Sequence, residues 1–306
     1  MSLFKMTYPM LLEEKSTPPS VAQDDEAVGP RIERFPLTRR QELALRVWDS
    51  ATGPRDTSSS DRKTFVFLNG LESHSLWAST LAQALSERGH RFVGLDRRGS
   101  GVNRGLSGGA KDWVNDVIRV CQRERRRNGH KGLDLIGQCF GARSALGAAL
   151  RHPELIERLI LLSPGLAMHV DVSLPEKILV AVGKAFRLPL RLRSPISDDR
   201  FLTRDPQALD FIAHDPLRLR RAPLGDFYAG HMLLRSILRR SRSLPIPCAA
   251  LFAEDDRIVN VPKTIELLRS LFHDHLTVRV LAGADHLLLF GRSSEQTLDV
   301  ILKEMD

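Results

Sequence analysis

The sequence predicts an α/β domain, with a mostly parallel sheet flanked by helices, and three observations carry the prediction. A Gly-x-Cys-x-Gly box, Gly137-Gln138-Cys139-Phe140-Gly141, has an apolar strand-like run before it and an alanine- and leucine-rich helix-like run after it. Two further strand-like runs lie downstream, one ending at Glu254-Asp255-Asp256 and the other running into Asp285-His286, with one amphipathic helix between them. Strand and helix alternate along most of the chain but stop alternating between 164 and 245, the pattern of a sheet interrupted by an insertion.

In chain order, residues 16–29 are rich in Pro, Asp and Ser and read as part of a loose N-terminal tail, 1–30. The sheet is expected to begin at 43–48, where alternation suggests a half-exposed strand. A Gly-, Pro- and Ser-rich turn at 53–60 leads to a strand starting at Thr64. Helical apolar spacing follows at 77–88 and 113–125, with a strand from Arg91 between them. The run 132–136 reads as a short buried strand, 142–152 as a helix packed closely on the sheet, and 159–162 as a strand ending at Ser163-Pro164-Gly165. After the insertion come a strand at 247–253, a helix at 264–271 and a strand at 276–281.

The Gly-x-Cys-x-Gly box has a specific physical meaning. A chain that leaves a strand, turns sharply and enters a helix at once can hold a nucleophile in a strained backbone conformation, and Gly137 and Gly141 lack the Cβ that would collide in so tight a turn. A thiol there lies at a helix N-terminus, where unpaired amides and the macrodipole favour an anion. The competing reading is a small buried hydrophobe in a glycine-containing turn. A nucleophile of this class needs a base and a group that orients it, in the chain order nucleophile, acid, histidine. The loops at 254–256 and 285–286 supply both, each at the C-terminal end of a parallel strand, the edge where open α/β sheets assemble their sites.

With these blocks the chain resembles the α/β-hydrolase superfamily, in its monoacylglycerol lipase and lysophospholipase-like branch, over roughly 43–302. Residues from Thr64 through Asn69-Gly70-Leu71-Glu72-Ser73-His74-Ser75 resemble that family's strand and oxyanion loop, and Asp96-Arg97-Arg98-Gly99-Ser100-Gly101 its Asp-x-x-Gly-x-Gly turn. The resemblance implies Cys139 as nucleophile, His286 as base and Asp256 as orienting acid, with Asp255 as the alternative acid. It also implies the backbone amides of Leu71 and Phe140 as oxyanion donors. The residues 31–163 and 246–306 would form the hydrolase core and 164–245 a helical cap that excludes water and shapes an acyl pocket.

Two residues depart from the family pattern. Asn69 stands where histidine usually precedes the oxyanion-loop glycine, and sulfur replaces the usual serine oxygen. Cysteine nucleophiles occur in a minority of related enzymes, the dienelactone hydrolases and polyhydroxyalkanoate synthases among them. A cysteine paired with histidine forms a thioester acyl-enzyme. The implied function is therefore a cysteine-dependent hydrolase of a carboxylic ester or thioester with a lipid-like acyl group. The alternatives are an acyltransferase that passes the acyl group to an alcohol or amine, and a binding protein of the same fold with an inert thiol.

The 306-residue chain carries a net charge of +8, and residues 164–245 hold 14 Lys and Arg against 8 Asp and Glu. Solvated helix faces explain this excess. The sharper alternative is that Arg218, Arg220, Arg221, Arg235, Arg239 and Arg240 attract an anionic headgroup, a carrier phosphate or an acidic membrane surface. Nucleic acid is not expected, since the basic residues lack aromatic interleaving.

Neither a cofactor nor a metal is expected: GxGxxG and P-loop signatures are absent, and His152, His214, His231, His273 and His275 have no metal-like spacing. His74 and Ser75 are expected only to shape the oxyanion loop, and Ser163 to turn the chain. No apolar run reaches about 18 residues, the length a spanning helix needs. The first 15 residues have no basic cluster ahead of a long apolar core, and Cys121, Cys139 and Cys248 make no disulfide framework, so a reducing cytoplasm is expected.

Overall fold

The computed structural model of the chain describes residues 30–38, 41–49, 62–129, 132–186, 188–196, 198–239 and 243–304. The expected tail apart from Pro30, and the turn at 53–60, lie outside these residues. The sheet-forming segments are β1 (Arg31–Thr38), β2 (Gln41–Trp48), β3 (Thr64–Leu68), β4 (Arg91–Leu95), β5 (Leu133–Gln138) and β6 (Ile156–Leu162). The insertion contributes the short β7 (Arg191–Arg193) and β8 (Arg221–Pro223), after which β9 (Cys248–Ala253) and β10 (Leu276–Leu281) complete the set. The helices are α1 (Ser79–Glu87), α2 (Ala110–Arg127), α3 (Gly141–Ala149), α4 (Leu174–Ala185), α5 (Pro206–His214), α6 (Leu224–Leu238), α7 (Val261–Phe272) and α8 (Gly291–Lys303).

Eight strands form one sheet in the order β1-β2-β4-β3-β5-β6-β9-β10. Its first two pairings, β1 with β2 and β2 with β4, are antiparallel, and the rest are parallel. The central strands β3, β4, β5 and β9 are buried at every position, as strands covered on both faces must be. Phe65, Phe67, Phe92, Phe252 and Phe272 fill the space between sheet and helices, with Phe67 stacked on Phe92 at 5.8 Å.

The sheet begins earlier than the sequence reading placed it. β1 precedes the expected first strand, and its charged residues and Pro36 hide it from a pattern search: it is an edge strand with one neighbour, mostly exposed, where proline and charge are tolerated. The helix expected from Trp77 starts instead at Ser79, after a 3-10 turn at Ser75–Ala78. The helix α8 was not anticipated either.

Between β6 and β9 lie α4, α5 and α6, spanning the apolar runs at 178–180, 211–212 and 232–234. Their starts are written in the sequence. Ser173 and Glu176 form a capping box on α4, with Ser173 N donating to Glu176 Oε2 at 2.7 Å, and Asp205 caps α5 by accepting from Ala208 N at 2.8 Å. The antiparallel pair β7 and β8 adds a strand element where only helices were expected.

Candidate active site

The turn after β5 is built by exclusion of Cβ atoms. A Cβ on Gly141 would lie 2.4 Å from the Leu68 carbonyl oxygen, and one on Gly137 would lie 2.8 Å from Ala142 Cα, so α3 can approach the sheet this closely only with glycine at both places. Between them Cys139 is driven to φ +47°, a left-handed conformation that costs a non-glycine residue about 1–3 kcal/mol. Neighbouring backbone holds it there: Cys139 N donates to Leu162 O at 2.9 Å, and its carbonyl accepts from Gly165 N at 3.0 Å. Cys139 lines a cavity of about 560 Å³.

His286 and Cys139 line the same cavity, close enough for the sulfur to act on the imidazole. On the far side of the ring, His286 Nδ1 donates to Asp256, 3.0 Å from Oδ1 and 2.9 Å from Oδ2. Asp256 is fixed by the chain just beyond it, accepting from Ile258 N at 2.9 Å and Val259 N at 2.8 Å. Burial favours the neutral imidazole, but the charges of Asp256 and Cys139 and their hydrogen bonds outweigh it and push His286 up to about 10. Burial also works against the Asp256 carboxylate, yet the imidazole and the two amides leave it below its ordinary value.

Asp255, the alternative acid, lies away from the imidazole. It is exposed and meets Arg204 Nη2 at 3.2 Å, and Arg204 also binds Asp285 at 2.7 Å. Successive residues after a strand point in different directions, and only Asp256 turns toward the imidazole.

Leu71 and Phe140 both line the cavity, and an added Cβ on Gly70 would stand 3.7 Å from Cys139 Cβ, so the oxyanion loop lies against the nucleophile turn. Among the described residues neither amide is taken by another acceptor. Three arrangements that the sequence reading missed hold this loop. Arg97 Nη2 donates to Leu71 O at 3.0 Å while Nη1 reaches Asp226 of α6 at 3.1 Å. Glu72 accepts from Arg218 Nε at 2.8 Å. His74 Nε2 lies 2.8 Å from Asp215, which also accepts from Trp77 Nε1 at 2.7 Å. The partners are 129, 146 and 141 residues apart in sequence, so no local signal could pair them. Asn69 donates to the carbonyl oxygens of Gly70, at 2.9 Å, and Ser73, bracing the loop from inside.

The six arginines singled out by charge separate in the structure. Arg218 is buried in its ion pairs with Glu72 and Asp199, so it is a strut and not a free cation. Arg220 donates to the Ala213 carbonyl at 2.7 Å, and Arg221 lies exposed in β8. Arg235 is exposed on α6 at the cavity wall, Arg239 is exposed at the end of that helix, and Arg240 lies outside the described residues.

Arg143 was not singled out, yet it lines the cavity from the first turn of α3, where burial holds its guanidinium below the ordinary arginine value. Cys121 and Cys248 are buried away from the cavity; burial, with Glu124 nearby, pushes the Cys121 thiol up to about 12, and burial also raises Cys248. No helix among the described residues is long and apolar enough to cross a membrane.

Comparison with known proteins places this arrangement in a family. The profile of Hydrolase_4, described as serine aminopeptidase, S33, matches residues 59–293. A solved monoacylglycerol lipase of Paleococcus ferrophilus is 18% identical and aligns with a TM-score of 0.73, covering 87% of this chain and 98% of that one. A soluble variant of monoglyceride lipase from Saccharomyces cerevisiae, solved with a substrate analogue, is 17% identical with a TM-score of 0.76, covering 93% of this chain and 98% of that one. The protein named "Putative carbamate hydrolase RutD" of Rhizobium rhizogenes is 33% identical over 107 residues, 34% of this chain and 38% of that relative's length. The fold is that of the α/β-hydrolases.

Proposed function

Because the chain belongs to the Hydrolase_4 family of serine aminopeptidase, S33, and is a hydrolase, we propose that it cleaves a carboxylic ester or thioester with a lipid-like acyl group, using Cys139 where the family's description names serine. The observation that carries this reading is the position of His286 between Asp256 and the Cys139 thiol.

In this reading Cys139 Sγ attacks the acyl carbon and the carbonyl π pair moves to oxygen. The resulting oxyanion is held by the amides of Leu71 and Phe140. His286, carrying the proton drawn from the thiol, passes it to the departing alkoxide or thiolate as the tetrahedral species collapses to a thioester. Water then attacks the thioester, gives its proton to His286 and releases the acid, and the proton returns to the sulfur. Asp256 fixes the imidazole so that Nε2 faces the reaction, and it offsets the imidazolium charge.

Residues 164–245 serve as the cap, with α4 and α6 contributing walls to the cavity. Three free cysteines are compatible with a reducing cytoplasm.

Intact-mass measurement tests the proposal. Incubation with a panel of esters, acyl thioesters and lactones should leave an acyl-sized mass increase on the wild-type chain and none on Cys139→Ala. Undiminished turnover by Cys139→Ala would remove the assignment. Release of the trapped acyl group onto an added alcohol or amine in preference to water would turn the reading to acyl transfer.

A further inference from the structure

We propose that Arg143 is the binding site for an anionic group on the substrate, so that the enzyme selects acyl compounds carrying a carboxylate or phosphate close to the reacting carbonyl. The inference rests on Cys139 being the nucleophile and adds the substrate class.

Arg143 stands one helical turn beyond Cys139 and borders the same cavity, near enough for the charge on the sulfur to act on the guanidinium. Its orientation is fixed by groups that do not neutralise it. Nε donates to the Gly165 carbonyl at 2.9 Å, the guanidinium carbon lies 5.0 Å from the centre of the Phe140 ring, and Nη2 rests 3.6 Å from the Met168 sulfur, a weak acceptor. Nη1 lies beside Gly230 of α6, where an added Cβ would approach it to 3.3 Å. A guanidinium has five N–H donors in a rigid fork, and one carbonyl oxygen uses only one of them.

Half-buried Arg143 contrasts directly with the fully buried arginines. Arg46, Arg91, Arg97 and Arg218 are all buried, and each faces a carboxylate: Asp96, Glu124, Asp226 and Glu72 respectively. Arg143 has no carboxylate partner among the described residues. Arg143 is half-buried, and an arriving oxyanion with two oxygens would meet the free edge of its fork in a setting less screened than open water.

Asp171 of the cavity wall acts on Arg143 through its charge, but the acidic residues of that wall make their ion pairs elsewhere. Glu72 is engaged by Arg218, and Asp171 by Lys177 at 2.7 Å. Arg235 on the same wall adds a further exposed cation without a partner among the described residues, so the cavity draws anions inward.

Alkylation of Cys139 reads this property without requiring turnover. Sγ displaces iodide from either iodoacetate or iodoacetamide, and the two reagents differ in carrying a carboxylate or a neutral amide. At low salt and neutral pH the wild-type chain should react with iodoacetate about tenfold faster than with iodoacetamide, a difference of about 1.4 kcal/mol. The ratio should fall below one in Arg143→Met and recover in part in Arg143→Lys. Turnover of mono-p-nitrophenyl glutarate should show the same dependence when set against an isostere with isopropyl in place of the carboxylate. Protection by inorganic phosphate or by glutarate identifies which oxyanion fits better. Equal rates with the two alkylating reagents in the wild type, or an Arg143→Met variant that loses both rates in proportion, would overturn the subsite while leaving the nucleophile in place. A Cys139 unreactive to both reagents would overturn the subsite and the proposed function together.

Discussion

His286 Nδ1 donates to Asp256 Oδ2 at 2.9 Å, while the carboxylates beside the two residues in sequence, Asp255 and Asp285, both turn outward onto Arg204. The two loops therefore present three acids in a small space and assign them two tasks. Asp256 is enclosed and meets the imidazole. The other two are tied to a surface arginine that also anchors the segment before α5.

The division of labour predicts unequal consequences of removing each acid. Asp256→Asn should lower kcat/KM by roughly a hundredfold or more, since the amide can present the wrong partner to Nδ1 and cannot offset the imidazolium. Asp255→Asn should change it by less than about threefold, because an exposed ion pair contributes little. Steady-state kinetics on any ester accepted in the mass assay measures both.

His286 itself should keep its proton through neutral pH and lose it only as pH rises through about 10. Its folded value lies above the ordinary 6.5, so the stability it contributes is full below about 6.5 and is lost as pH climbs through the folded value. The imidazole resonance followed by proton NMR should show this midpoint. In Cys139→Ala the midpoint should move down, because the charge of the sulfur is one of the groups that raises it. An unmoved midpoint would mean that the sulfur does not share the imidazole's proton.

Arg218 and Glu72, side chains 3% and 4% exposed, join the oxyanion loop to the segment after α5. Arg218→Met should destabilise the fold by about 3–5 kcal/mol, chiefly because it strands the Glu72 carboxylate in a dry setting. The shift would be read from the urea midpoint. Activity of the folded fraction should fall as well, since Leu219 N donates to the Glu72 carbonyl at 2.9 Å and the same loop carries Leu71.

Asp134 on β5 offers the opposite sign. Both of its carboxylate oxygens are buried and have no hydrogen-bond partner among the described residues; burial pushes its pKa up to about 6, against the pull of Arg158 and Lys63. A folded value above the ordinary 3.8 means that the charged form costs stability. The cost is absent below about pH 4, grows as pH rises and is complete above about 6. Asp134→Asn should therefore stabilise the protein by roughly 1–3 kcal/mol at pH 8 and by almost nothing at pH 4, as measured by thermal unfolding at the two pH values.

Much of the architecture was legible because it depends on local pattern. A strand buried on both faces must be apolar throughout, as β5 and β9 are, and a turn as tight as the one at Cys139 must be flanked by glycine. The edge strand β1 escaped notice because an exposed strand has no such requirement. The pair β7 and β8 escaped because each is three residues long.

The sequence by itself determined which residue types the site has and in what order: a thiol in a Gly-x-Cys-x-Gly turn, then an acid loop, then a histidine loop, each at the end of a parallel strand. These follow from spacing and hydrophobic period. The tertiary structure alone decided that Asp256 and not Asp255 reaches the imidazole, that Arg218 is a strut and that Arg143 borders the cavity with no carboxylate ion pair among the described residues. Those outcomes depend on side-chain direction and on partners far apart in the chain, and electrostatic energy is fixed by distance in space, which sequence separation does not encode.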